Sequence, residues 1–248
     1  MSARWLQPLL RLVGTVLLAL LALQLFFAAR IVLMVWVDPQ STAFERSEAW
    51  RVTLERDKLR WSQQWVPYAA LSDHLKRAVI ASEDDAFAYH DGVDWESLEK
   101  AWDKNSQAEK RALTRAAHAK RSGQSAKVVG GSTITQQLAK NLFLSGERTY
   151  LRKGQEFVLT LMLEAILDKE RILEIYLNNV EWGEGVFGAE AAARHYFRKS
   201  AAQLSAHEAA RLAVMLPRPK YFEKLPKSGY LVDRANVIVG RMASAELP

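Results

Sequence analysis

Hydrophobic positions along this chain fall into two regimes, one long apolar run followed by spaced rows. From Leu12 to Ala29 no charged residue interrupts the run, and after Arg30 a second stretch, Ile31 to Val37, extends it. That length predicts a helix able to cross a bilayer. Arg4 and Arg11 precede it, while Asp38, Glu45 and Glu48 are mixed with bases after it. The excess of positive charge on the first side predicts a cytoplasmic N-terminus and an outward-facing remainder. A cleaved signal peptide fits less well, because the run exceeds the usual apolar core and Phe27 breaks an A-x-A-like site ending at Ala29.

Residues 38–66 mix charges with Trp50, Trp61 and Trp65 and show no sustained period, so they read as a juxtamembrane connection. Its tryptophans suit either the headgroup level or packing under the following domain. From Pro67 onward the rows are helical. Leu71, Leu75 and Val79 recur at every fourth position, as do Ile134, Leu138 and Leu142. Ile172, Leu173, Tyr176 and Leu177 read as core, with Asn178 at the end of their helix. Gly183, Gly185 and Gly188 predict a loop, Ala189 to Phe197 a short helix, and Ser205 with Glu208 a capping box opening a helix that Pro217 stops. After Lys220 the signals are weak. The expected organisation is 1–37 as cytoplasmic N-terminus and transmembrane anchor, 38–66 as connection and 67–248 as one mainly α-helical domain. No segment repeats at a fixed period, which excludes a solenoid.

Composition narrows this picture only a little. With 248 residues, 49% of them hydrophobic, the chain can bury one sizeable core beside the anchor. It has no cysteine, which excludes a disulfide framework and a thiolate metal site. A net charge of +6 suggests an anionic partner: nucleic acid, a lipid headgroup or a phosphorylated substrate. Much of that charge lies between Asp103 and Lys127, an Ala-rich stretch carrying Lys104, Lys110, Arg111, Arg115, Lys120, Arg121 and Lys127. It reads as a solvated helix and flexible loop, or as a surface for anionic lipid.

The candidate chemistry begins where the first helical row ends. Four residues beyond Val79 stands Glu83, a carboxylate placed on an apolar stripe and followed by Asp84, Asp85, Phe87 and His90. Partial burial there raises a carboxylate pKa toward neutrality, as a general acid or base needs. The same residues would also fit a helix stopping at Ser82 with a solvated acidic loop after it. Gly130-Gly131-Ser132-Thr133 leads into a helix, with Thr133 and Gln136 spaced as a capping box. Hydroxyls and amides at a helix start, with Lys140 two turns in, suit a phosphate, although this is no Walker loop because Gly-Lys-Ser/Thr is missing. Arg148, Arg152 and Glu156 follow at four-residue steps and share one face. They fit exposed ion pairs, or a diphosphate site with a second carboxylate. No His/Asp/Glu spacing specifies a metal.

Taken together, these segments resemble the glycosyltransferase domain of family 51, the peptidoglycan polymerases. The matching residues are Glu83-Asp84 with Phe87, His90 and Gly92; Gly131 to Gln137 with Lys140-Asn141; Arg152-Lys153 with Glu156; and Lys169 to Asn178. They occur in the family's order over most of residues 67–220. The S-D-N and K-T-G signatures of a transpeptidase do not occur in the sequence, so the monofunctional branch is the better match.

The resemblance implies a mainly α, lysozyme-like fold with an N-terminal transmembrane helix in the cell inner membrane, and lipid II as substrate. The enzyme would transfer the growing glycan from undecaprenyl diphosphate to the GlcNAc 4-hydroxyl of lipid II, inverting the anomeric centre to a β-1,4 link. It casts Glu83 as general base and Glu156 as the second acid. Lys140, Arg148, Arg152 and Lys153 would meet the diphosphate; Asp84, Phe87 and His90 would shape the acceptor side; Ser132, Thr133, Gln136, Gln137 and Asn141 would bind sugar or phosphate. No cofactor is required, and a divalent cation, Mg²⁺ or Mn²⁺, is admitted at the donor phosphate. The implied partners are lipid II, the nascent strand, the bilayer and proteins of wall synthesis or division, with no nucleic acid. The lengthened basic stretch before Gly130 departs from the family pattern. Two other readings share these features: a lysozyme-like glycan hydrolase or lytic transglycosylase, and a membrane-tethered protein that only binds anions.

Overall fold

The computed structural model describes residues 6–55, 61–96, 99, 106–107, 131–147 and 149–248. The basic stretch from Asp103 to Lys127 therefore lies outside the described residues except at 106–107, and so does Arg148. The architecture is mainly helical and begins with one long apolar helix, α1 (Leu6–Leu33, 28 residues). At 1.5 Å per residue it spans about 40 Å, enough to cross the hydrocarbon core. Its mean hydropathy is 2.5 and its leucines and valines are largely exposed, as suits a helix solvated by lipid.

Only the last third of α1 docks on the domain. Ile31 and Met34 are buried, Phe27 meets Phe143 edge-on at 5.4 Å, and the Arg30 guanidinium lies 5.1 Å from the Phe143 ring. Gln24 exchanges two amide hydrogen bonds with Gln155, at 2.9 and 3.1 Å. A polar side chain on an apolar helix needs such a partner, because hydrocarbon offers none. Below the helix end, the Arg171 Nε donates to the Met34 carbonyl at 2.8 Å while the same guanidinium pairs with Asp38.

Residues 43–55 form a helix, α2 (Ala43–Glu55), in the segment that lacks a sequence period. Its start is a reciprocal cap: the Glu45 amide donates to Thr42 Oγ1 at 3.0 Å and the Thr42 amide to Glu45 Oε2 at 2.8 Å. Trp61 stacks on Phe187 with centroids 4.5 Å apart, and Trp65 Nε1 donates to Glu174 at 3.2 Å, so both pack against the domain while Trp50 stays exposed.

Two helical groups build the core. In one, α3 (Asp73–Glu83), α8 (Ala206–Met215) and α10 (Gly229–Arg241) pack together. Ala209, Ala210 and Ala213 of α8 let the backbones approach, and Leu75, Val79, Ile80, Leu231, Ala235 and Ile238 fill the seam. In the other, α4 (Ile134–Phe143) lies against α2, α5 (Tyr150–Ile166) and α6 (Lys169–Asn179) through the expected Ile134, Leu138 and Leu142 row. The capping boxes at Thr133–Gln136 and Ser205–Glu208 both form as their spacing predicts. The helix that carries Arg152 and Glu156 starts at Tyr150, where the Thr149 side chain caps it by accepting from the Arg152 amide.

Two features depart from the pattern reading. The glycine-punctuated loop contains short strands, β2 (Glu181–Gly183) and β3 (Val186–Phe187), and β1 (Ser62–Gln63) pairs parallel to β3, giving the order β1-β3-β2. Strands of two or three residues are too short to show alternation, and Gly185 and Gly188 at φ +73° and +79° make their turns. After Lys220, the chain continues into α10. Completing the order, α7 (Ala189–Phe197) precedes α8, and the single-turn α9 (Pro219–Phe222) follows it.

Candidate active site

The α3 helix delivers Glu83 as its last residue, and Asp84 ends the helix by leaving helical geometry. Asp84 is buried and both of its oxygens are engaged. Its Oδ2 accepts from the Ile134 amide at 2.9 Å, at the positive end of α4. Its Oδ1 lies 2.8 Å from His90 Nε2, and His90 Nδ1 accepts from the Gly92 amide at 3.1 Å, so the ring hydrogen is on Nε2 and is donated to Asp84. The Gly92 carbonyl in turn accepts from Thr133 Oγ1 at 2.7 Å. Gly92 holds φ +82°, and a Cβ there would meet Thr160 and Glu164 at 2.7 and 2.8 Å, so only glycine fits. Fully buried Phe87 lies under the Lys169 ammonium, 4.6 Å from its ring centroid. These bonds stitch the turn after Glu83 to the start of α4.

Glu83 itself is half-buried. Gln137 Nε2 donates to its Oε2 at 3.0 Å, and Ser82 Oγ reaches Oε1 at 3.3 Å. The Gln137 Oε1 accepts from the Tyr176 hydroxyl at 3.0 Å. Burial pushes the Glu83 carboxyl above the ordinary glutamate range, and the donors Gln137 and Ser82 hold it back; Asp84 adds to the rise and Lys140 opposes it.

Beside Glu83 opens a cavity of about 350 Å³ lined by Phe44, Ser132, Gln136, Gln137, Lys140, Leu144, Ser145, Gly146, Arg152, Lys153 and Glu156. Its cationic wall is organised by Glu156, which is buried to 3% exposure. Glu156 Oε2 pairs with Arg152 Nη1 at 3.0 Å, and Oε1 pairs with the Lys153 ammonium. The Arg152 Nε is buried without a hydrogen-bond acceptor among the described residues. Lys140 rises from α4, open to solvent at the rim. Desolvation by the protein around it lowers its ammonium pKa; Glu156 opposes this, Arg152 and Lys153 reinforce it, and Glu83 opposes it. Lys140 thus lies within the electrostatic reach of both acids.

The structure gathers Ser132, Gln136, Gln137, Lys140, Arg152, Lys153 and Glu156 at one cavity and joins Glu83 to them through Gln137. Asp84, Phe87, His90 and Thr133 lie beneath it, with their polar atoms committed to the turn and to α4. Asn141 is half-buried on α4 outside the lining. Phe44 of α2 and Tyr176 of α6 join the site without having been singled out. The signal for the first was the Thr42-x-x-Glu45 cap beside it; the second was indistinguishable from a core aromatic. No group of three or more His, Asp or Glu side chains converges among the described residues. Glu156 spends both oxygens on cations, Arg152 and Lys153, and so offers no free carboxylate oxygen to a metal in this arrangement.

Comparison with known proteins gives the same direction. A family model described as Transglycosylase matches residues 52–243. The chain is 53% identical over 230 residues to a biosynthetic peptidoglycan transglycosylase of Burkholderia orbicola (strain MC0-3), covering 93% of this chain and 87% of that protein. It is 50% identical over 235 residues to a protein so described from Paraburkholderia xenovorans (strain LB400), covering 95% and 91%. To one from Burkholderia thailandensis it is 54% identical over 230 residues, covering 93% and 84%.

Proposed function

Because the chain belongs to the transglycosylase family and is a peptidoglycan glycosyltransferase, we propose that its cavity polymerises glycan strands from lipid II with Glu83 as general base. The acceptor is the GlcNAc 4-hydroxyl, whose proton is far too tightly held to leave unaided at neutral pH. A carboxylate with a pKa raised by burial is a stronger base than an ordinary glutamate, and Glu83 Oε1 holds only the long Ser82 contact. The hydroxyl oxygen attacks C1 of the donor MurNAc as its proton passes to Glu83. Undecaprenyl diphosphate departs from the opposite face, so the centre inverts and the new link is β-1,4.

Negative charge grows on the diphosphate as the bond breaks, and Lys140, Arg152 and Lys153 stabilise it more in the transition state than in the bound substrate. Glu156 holds Arg152 and Lys153 in place. Asp84, His90 and Phe87 support the site from beneath by fixing the turn that carries Glu83. A divalent cation, where present, would accompany the substrate phosphate, and the reaction requires none.

The observation that carries this reading is one half-buried acid, Glu83, joined through Gln137 to a cavity lined by the cations Lys140, Arg152 and Lys153. A glycan hydrolase needs the acid but not the cations. Incubation with labelled lipid II should yield polymer resolved by gel, and should do so with a chelator present. Cleavage of finished glycan with no polymer formed would overturn the proposal.

We further propose that α1 anchors the enzyme with its N-terminus in the cytoplasm and the catalytic domain in the periplasm, at the inner membrane. Tyr150, Leu151, Phe157, Val158 and Leu161 form an exposed apolar stripe on α5, the helix that also carries Arg152 and Glu156. The Gln24–Gln155 bonds tie that helix to α1, so the cationic wall is held where lipid-linked diphosphate would arrive. In spheroplasts, external protease should degrade the domain and leave a short membrane-bound N-terminal fragment; full protection of the domain would reverse the orientation.

A further inference from the structure

We infer that Tyr176 is a positioning residue for the reaction, acting through Gln137 to keep Glu83 ionised and its free oxygen turned to the acceptor. The inference rests on Glu83 being the base, and it concerns a side chain that touches no substrate. Tyr176 is fully buried on α6, and its hydroxyl makes one hydrogen bond among the described residues, to Gln137 Oε1 at 3.0 Å.

The Gln137 amide can sit either way round between Tyr176 and Glu83. An amide offers a donor at one end and an acceptor at the other, and its neighbours decide the orientation. A buried phenol with a single polar neighbour must give its hydrogen to that neighbour, so Tyr176 requires the Gln137 carbonyl on its side. The NH₂ is thereby turned toward Glu83 and the Ser132 carbonyl, where Nε2 donates to Glu83 Oε2 at 3.0 Å and more weakly to the Ser132 carbonyl at 3.4 Å. Burial and the charges of Glu83 and Asp84 hold the phenol well above its ordinary ionisation range, so it stays a donor wherever the enzyme works.

The consequences for the base are specific. A donor fixed on Oε2 favours the charged carboxylate and opposes the burial that favours the protonated one. It also occupies one oxygen and leaves Oε1 to take the proton. Without the phenol, only Glu83 and the long Ser132 contact hold the amide, and turning its carbonyl toward Glu83 gives an arrangement that suits a protonated carboxylic acid and idles the base.

The test is the pH dependence of lipid II polymerisation by the full-length enzyme in detergent or vesicles. Tyr176→Phe should move the acid limb of the kcat profile up by about one pH unit, the worth of one hydrogen bond to the charged form, with roughly tenfold less activity just below the limb and recovery above it. KM for lipid II should be unchanged. Gln137→Ala should raise the limb similarly, and adding Tyr176→Phe to it should move the limb no further. An unmoved limb in Tyr176→Phe with activity lower at every pH, or additive shifts in the double variant, would overturn the relay and leave Tyr176 as packing. Should Tyr176→Phe fail to fold, an unmoved limb in Gln137→Ala alone overturns it. Failure of the base reading is separately visible, since a fully active Glu83→Gln would show it with Tyr176 and Gln137 intact.

Discussion

Replacing Glu83 by glutamine should lower lipid II polymerisation by roughly 10²–10⁴-fold, the worth of a positioned general base, while the folded protein is kept or slightly stabilised. The substitution preserves shape, and the new amide oxygen can still accept from Gln137 Nε2, which donates to Glu83 in the parent. The cations Lys140, Arg152 and Lys153 of the cavity are untouched, so substrate binding should persist and the loss should fall on kcat.

The stability change has a sign that can be read against pH. Burial raises the Glu83 pKa in the folded state, so the parent is at its most stable, with respect to this group, when the carboxyl is protonated in both folded and unfolded chains. As pH rises past the ordinary glutamate value, the unfolded chain ionises first and the parent loses stability until the folded-state pKa is passed; beyond that the penalty is constant. Glutamine carries no such penalty. The melting temperature of Glu83→Gln should therefore gain on that of the parent across this window and hold the gain at alkaline pH. A variant that polymerises at the parental rate would remove Glu83 from proton transfer.

How much of this was legible in the sequence differs from residue to residue. Leu71, Leu75 and Val79 mark a buried row, and stepping on by four finds Glu83 at the end of α3, because a four-residue period survives wherever one face of a helix is buried. The cap at Thr133 and the Arg152–Glu156 pair are likewise local in sequence and form as spaced. Contacts that join distant segments leave no such trace. Asp84 gives its oxygens to Ile134 and His90, and the first of these lies fifty residues away. Tyr176 occupies an apolar position that its neighbours justify as core, and only the folded chain brings its hydroxyl to Gln137. The buried row Leu231, Ala235 and Ile238 of α10 was present in the pattern but masked by Tyr230, Val232 and Val237, which are apolar and exposed.

A second large effect is expected at Glu156. Its carboxylate, buried to 3% exposure, holds Arg152 by one oxygen and Lys153 by the other, so both cations face the cavity already placed. Glu156→Gln keeps the volume but sets an NH₂ against one of the two cations, which must then turn away. Since preorganised charge acts mainly on the departing diphosphate, kcat should fall by roughly 10²-fold with a smaller change in KM. Folding should weaken by only about 1–2 kcal/mol, because the freed side chains keep a route to water. The reverse deletion is harsher for the fold. Arg152→Met leaves a buried carboxylate with Lys153 alone, and losing a hydrogen bond to a charged group costs about 1.5–3 kcal/mol. Thermal unfolding should therefore rank Arg152→Met below Glu156→Gln in stability, while initial rates at saturating lipid II should find both impaired. Parental kcat in Glu156→Gln would take the organised cation pair out of the reaction and leave Glu156 as a structural ion pair of α5.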